Sequence, residues 1–195
     1  MVKRRYVYQK AGELHWLDTN TGRETAIKIR VPDEGANQRP KLVDARGLIE
    51  GFALSPGGRR AIFAARGELL TAPREHGDVR NITNTPGAHE KHPQFSPDGE
   101  VVAFVSDASG EEQIWLAGHL GQEPATQLTK GLKAMLYSPT WSPDQEWLAF
   151  GDKDGVLRVC EVATGDLTVI ADEPRGQIRD YQWSPCSSHL AFSDR

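Results

Sequence analysis

Apolar residues fall along the chain in short runs, separated by clusters of Gly, Pro, Asp and Ser, and almost nowhere at helical spacing. Runs such as "VVAFVS" (101–106) and "LTVIAD" (167–172) have the length and the β-branched, aromatic content of strands. One boundary between runs repeats. The phrases "FALSPGGRRAIFAA", "PQFSPDGEVVAFVS", "PTWSPDQEWLAFGD" and "YQWSPCSSHLAFSD" carry Ser-Pro at Ser55, Ser96, Ser142 and Ser184, spaced by 41, 46 and 42 residues. A fixed offset later come Ile62-Phe63, Ala103-Phe104, Ala149-Phe150 and Ala191-Phe192, so Ser-Pro marks a repeat.

The chemistry of the phrase is that of a hairpin. Leu54, Phe95, Trp141 and Trp183 end one apolar stretch, Pro sets φ at the turn, Asp98-Gly99 supplies a positive φ, and the chain turns apolar again. A third run follows each hairpin ("GELLTA" 67–72, "EQIWLA" 112–117, "GVLRVC" 155–160), and then a fourth ("RNITN" 80–84, "ATQLTKG" 125–131, "LTVIAD" 167–172). Four short strands per repeat of this length predict an all-β chain, an incomplete β-propeller of four-stranded antiparallel blades.

The expected divisions are a partial blade at 1–31, a linker or crossover at 32–50, blades at 51–92, 93–138 and 139–180, and a partial blade at 181–195. Residues 4–31 match 147–172 strand for strand and so correspond to the second to fourth strands of a blade. "VPDEGANQRPKLVDARGLIE" (31–50) is rich in Pro, Gly and charge and interrupts the spacing.

Composition narrows the picture without redrawing it. With 38% hydrophobic and 26% charged residues the balance is globular, and no apolar run approaches the roughly 20 residues of a membrane span. "MVKRRYVYQK" is not followed by an apolar stretch, so no signal peptide is expected. A net charge of −4 argues against a nucleic-acid surface. Two cysteines, Cys160 and Cys186, give no disulfide framework.

The segment from "RGLIEGFALSPGG" through "ARGELLTAP", "NITNTPG", "YSPTWSP" and "DKDG" to "RDYQWSPCSSHLAFSDR" resembles the second propeller of the tricorn protease family. The Ser-Pro-Asp-Gly hairpin alone is shared with TolB-like and prolyl-oligopeptidase-type propellers. The resemblance implies that residues 4–31 close a first propeller and that residues 45–195 form about three and a half blades of a second. It further implies a segment of a large cytosolic serine-type peptidase acting on short peptides, with its catalytic machinery far downstream of this region. The partners implied are peptides, held weakly at the blade-connecting loops, and the rest of the parent peptidase. The alternative is a TolB-like propeller serving as a protein-binding scaffold.

No residue is assigned a catalytic, cofactor-binding or metal-binding role, and no cofactor is expected. There is no Gly-x-Ser-x-Gly elbow, and Ser96 and Ser142 sit in turns beside Pro, which favours a structural role. "HEKH" (89–92) would suit a metal pair on a helix, but Pro86-Gly87 and Pro93 forbid one and place it in a loop leading into a blade. The acidic turns "SDASGEE" (106–112) and "DKDG" (152–155) lack the spacing of an EF-hand loop and suit tight turns. Trp141 and Trp183 share one repeat position, which points to packing between blades. Exposed strand edges and an uncovered blade flank lead to an expectation of self-association into a homo-oligomer. Neither a nucleic acid nor a membrane is expected as a partner.

Overall fold

The computed structural model describes residues 5–10, 13–29, 44–174 and 176–193. The chain separates into two compact units, Met1–Val43 and Asp44–Arg195. In the first, β1 (Arg5–Lys10), β2 (Glu13–Asp18) and β3 (Arg23–Ala26) form a three-stranded antiparallel sheet. Its second turn is closed by Gly22 N–H donating to the Asp18 carbonyl at 2.8 Å, with Gly22 at φ +68.

The second unit is a succession of antiparallel meanders. The first sheet holds β4 (Ile49–Leu54), β5 (Arg60–Ala65), β6 (Glu68–Pro73) and β7 (Arg80–Asn81). The second holds β8 (Glu90–Phe95), β9 (Val101–Ser106), β10 (Gln113–Gly118) and β11 (Thr126–Gln127). The third holds β12 (Thr140–Trp141), β13 (Trp147–Gly151), β14 (Val156–Glu161) and β15 (Leu167–Asp172). A two-stranded sheet of β16 (Asp180–Trp183) and β17 (Leu190–Ser193) follows. The strands just ahead of each Ser-Pro turn adjoin from sheet to sheet, β4 against β8, β8 against β12 and β12 against β16, which is the packing of propeller blades about an axis.

Strand alternation explains the core. Val102 and Phe104 of β9 face the first sheet and pack with Ile62, Ala64 and Leu69. Ala103 and Val105 face the third sheet and pack with Leu136, Leu148 and Phe150. These four residues of β9 are all buried, so the second sheet is covered on both faces. Each buried Phe stabilises the fold by about 1.5–3 kcal/mol.

The four Ser-Pro turns are built alike. Ser55, Ser96, Ser142 and Ser184 each accept at the side-chain oxygen from the backbone N–H five residues on, at 3.0, 3.0, 2.9 and 3.1 Å. The residue three after each Ser is left-handed, with φ of 61, 82, 69 and 58 at Gly58, Gly99, Gln145 and Ser187. Gln145 and Ser187 lack glycine's freedom there, and both bond the preceding turn. The Gln145 amide nitrogen is placed to donate to the Asp98 carboxylate at 2.8 Å, and Ser187 Oγ accepts from Asp144 N–H at 3.1 Å.

Three boundaries differ from the sequence expectation. The first sheet begins at Ile49, inside the expected linker 32–50, whose residues 32–43 lie outside the described residues. The second sheet begins at Glu90, within the expected blade 51–92, and β16 begins at Asp180. In the first two cases a register shift lies in the strand, between Ile49 and Gly51 and between Lys91 and Gln94, and breaks the alternation that marks a strand in sequence.

Candidate functional site

Chemistry gathers at the leading ends of the adjoining strands, opposite the Ser-Pro turns. The loops that enter β8, β12 and β16 meet there, and their side chains are paired across sheets. His89 Nε2 lies 3.3 Å from Glu50 Oε2 of β4, and His89 N–H donates to Asp107 Oδ1 at 2.7 Å. Lys91 Nζ pairs with Glu112 Oε1 at 2.7 Å, and Glu112 Oε2 accepts from Leu136 N–H at 2.7 Å. Gln94 donates to Ser138 Oγ at 3.2 Å, tying the second sheet to the approach of the third. Arg179 is exposed and stacks over the Tyr137 ring at 4.8 Å, donating to its hydroxyl at 3.3 Å.

The "HEKH" segment is not wholly a loop, because Glu90, Lys91 and His92 belong to β8. Its side chains diverge: His89 turns to Glu50, Lys91 to Glu112, and Glu90 is buried. Glu90 Oε1 accepts from Thr85 Oγ at 2.7 Å and Ser106 Oγ at 3.2 Å, while Oε2 has no partner. Burial pushes its carboxyl above the ordinary range. His92, at φ 54, is held below the ordinary imidazole range by burial.

The acidic turns use their carboxylates locally. Asp107 caps His89 N–H. Asp152, buried, accepts from Asp154 and Val156 N–H at 2.9 and 3.0 Å and pairs with Arg158. Among the described residues, no group of three or more His, Cys, Asp or Glu is arranged to hold a metal ion. Trp141 and Trp183 lie in the seams between sheets, their indole N–H groups donating to the Gln94 and Thr140 carbonyls at 3.2 and 3.1 Å. Tyr181 likewise donates to the Ser138 carbonyl, and burial raises its hydroxyl to about 12.

The side chain two residues after the Ser differs among the four turns: Gly57 in the first, Asp98 and Asp144 in the second and third, and Cys186 in the fourth. Asp98 and Asp144 accept from the turn Ser hydroxyls at 2.6 and 2.5 Å, which lowers both carboxyls. In the fourth turn a thiol stands there, 3.3 Å from Ser184 Oγ and 2.9 Å from Ser188 Oγ, and Ser188 Oγ is 2.8 Å from His189 Nδ1. The Ser184 and Ser188 hydroxyls bring this exposed thiol down to about 6, whereas burial holds Cys160 up at about 11. In sequence Cys186 reads only as the turn position equivalent to Asp98, with no function assigned; Ser188 and His189, which complete its surroundings, stand where the second and third turns carry Glu100-Val101 and Glu146-Trp147.

Comparison with known proteins agrees with this architecture. Two tricorn protease homologs of Streptomyces coelicolor are each 28% identical to the chain, over 85% and 97% of it but only 14% and 18% of their own lengths. The chain thus spans less than a fifth of these relatives. Among solved structures, the tricorn protease superposes with a TM-score of 0.67 at 16% identity, covering 97% of this chain and 18% of that one. TolB from Agrobacterium tumefaciens superposes with a TM-score of 0.63 at 20% identity, covering 75% and 54%. Both share the propeller fold. A family model described as "Lipoprotein LpqB beta-propeller domain" matches residues 67–176, more than half of the chain. The chain is a β-propeller segment related to the tricorn propellers and sharing its fold with TolB, and it belongs to the LpqB β-propeller domain family.

Proposed function

We propose that the chain is a non-catalytic propeller segment of a tricorn-like serine-type peptidase, and that the leading ends of its adjoining strands frame a passage for peptide substrate or product. The observation that carries this reading is the rim itself. Exposed Arg179 lies over the Tyr137 ring, and the Lys91–Glu112 and His89–Glu50 pairs stand at the leading ends of β8, β10 and β4. A guanidinium on an aromatic face suits a peptide carboxylate, and neighbouring charges of both signs suit a peptide backbone and its termini. Bond cleavage belongs to residues of the parent protein outside this chain, and the reading includes a cytoplasmic setting.

The test is a titration of short peptides into the isotopically labelled chain, followed by NMR, with a peptidase assay on the same preparation. Weak shifts centred on Tyr137, Arg179 and Lys91, without hydrolysis, are expected. Hydrolysis by a clean preparation, or shifts confined to the Ser-Pro turns, contradicts the reading.

A second reading, a protein-binding scaffold, is favoured by the description of the matched family as a lipoprotein propeller and by the TolB likeness. It predicts a rim indifferent to short peptides.

A further inference from the structure

The residue six positions before each Ser-Pro serine is Ile49, Glu90, Leu136 or Ile178. Leu136 and Ile178 are wholly buried, Leu136 in the core between the second and third sheets. Glu90 is just as buried, at 1% exposure. In the seam between the first and second sheets, a carboxyl therefore occupies a place that the following seams give to an aliphatic side chain.

A second acid accompanies it. Thr83 and Thr129 hold matching places, their hydroxyl oxygens accepting from Leu69 and Ile114 N–H and donating at 3.1 Å to the first residue of β6 or β10. That residue is neutral Gln113 in the second sheet and Glu68 in the first. Glu68 Oε2 also accepts from Thr85 N–H at 3.2 Å, while Thr85 Oγ donates to Glu90 Oε1 at 2.7 Å, so both carboxyls share one short segment. From β9, Glu90 meets the Ser106 hydroxyl, and Asp107 beyond it is taken up by His89 N–H. The basic side chains beside Glu90 turn elsewhere, His89 to Glu50 and Lys91 to Glu112, and burial holds His92 below the ordinary imidazole range. Among the described residues Glu90 Oε2 has no partner. Burial raises the Glu90 carboxyl, and the Glu68 charge acts in the same direction.

We propose that Glu90 is a proton-operated latch on the seam between the first and second sheets. Protonated, it fills the place of Leu136 and Ile178 as a neutral group, and the seam stays shut. Ionised, it is a second carboxylate beside Glu68 in a buried place with no cation to pair with, and the seam loosens. Glu90 N–H donates across this seam to the Gly67 carbonyl at 3.0 Å, and a Cβ on Gly67 would lie 3.0 Å from the Ala88 carbonyl. The hairpin between β5 and β6 thus rests on the segment that carries His89 to the rim. Because folding favours the proton, the latch holds in acid and is released as pH rises through the folded midpoint.

NMR of the full chain over a pH series, with Glu carboxyl carbons and backbone amides labelled, tests this. The Glu90 carboxyl is expected to titrate above the ordinary Glu range. Protection of the Glu90 amide against exchange should fall about tenfold per pH unit from that range up to the Glu90 midpoint, and level off above it. Glu90→Leu, which restores the residue of the next seam, should make that protection independent of pH. Glu68→Gln, which matches Gln113, should lower the Glu90 midpoint. A Glu90 carboxyl that titrates in the ordinary range, wild-type protection that is flat across pH, the same fall in Glu90→Leu, or an unmoved midpoint in Glu68→Gln overturns the proposal. A midpoint that drops on addition of calcium chloride also overturns it, and would assign the unpartnered oxygen to a cation.

Discussion

The first and second sheets are built on the same Ser-Pro hairpin repeat yet meet different surroundings. In the second, Val102, Ala103, Phe104 and Val105 are all buried, two toward each neighbour. In the first, Ala53 reaches the shared core while Phe52 and Leu54 stay open to water. Both sheets are apolar on two faces because every blade of a propeller expects two neighbours. The hydrophobic pattern therefore reports a blade's place in a repeat, and only the neighbours decide whether an apolar face stabilises or is left over.

Truncating a ring on each face is the strongest test of that contrast. Phe104→Ala should cost about 3–5 kcal/mol, as expected for a buried aromatic, and Phe52→Ala within about 0.5 kcal/mol, as expected at the surface. Urea titration of both variants measures this, and equal costs would mean that the first sheet's outer face is covered.

A smaller effect separates two glycines at equivalent seams. A Cβ on Gly151 would press into the Ile178 carbonyl, whereas one on Gly51 would meet only Pro93 at 4.0 Å. Gly151→Ala should destabilise by roughly 1–3 kcal/mol, as overpacking does, and Gly51→Ala far less, judged by the shift in urea midpoint. Similar costs for the two would show that the seams are not distinguished as described.

Glu90 sharpens the comparison by pH. Its folded-state carboxyl is raised by burial, so the protonated form is favoured by folding. Its contribution is fully present below the ordinary Glu range of about 4.3 and fades as pH rises through the higher folded value. Relative to Glu90→Gln, the wild-type chain should gain stability as pH falls from neutral to acid. A pH-independent difference between the two in thermal melts would show that this carboxyl does not titrate abnormally.

The mildest perturbation distinguishes the two thiols. Cys186, exposed and near 6, should be alkylated by iodoacetamide at neutral pH, while Cys160, buried and near 11, should react only on unfolding. Ser188→Ala should slow the first reaction; peptide mass mapping reads both, and early labelling of Cys160 would contradict its burial.

The blades were legible because the Ser-Pro turn makes the same local demands four times over. Leu54, Phe95, Trp141 and Trp183 end β4, β8, β12 and β16 as their spacing implies. Less legible were the fourth strands. β7 and β11 shrink to two residues because Thr83 and Thr129 hydroxyls accept from Leu69 and Ile114 N–H, at 3.2 and 2.9 Å, where further strand pairing would lie. The bulge at His92 was hidden because a non-glycine residue adopts its positive φ. The rim was legible only as polar loops, since Arg179 and Tyr137 lie 42 residues apart and only packing of successive sheets brings them together.

The central claim is that the sheets are blades joined by donors on the strands nearest the axis, and indole hydrogen exchange followed by NMR tests it most directly. Trp141 and Trp183 donate across two successive seams, so their indole protons should exchange slowly. They should also become labile together as urea opens the seams. Rapid exchange of both in the native protein would contradict blade packing as described.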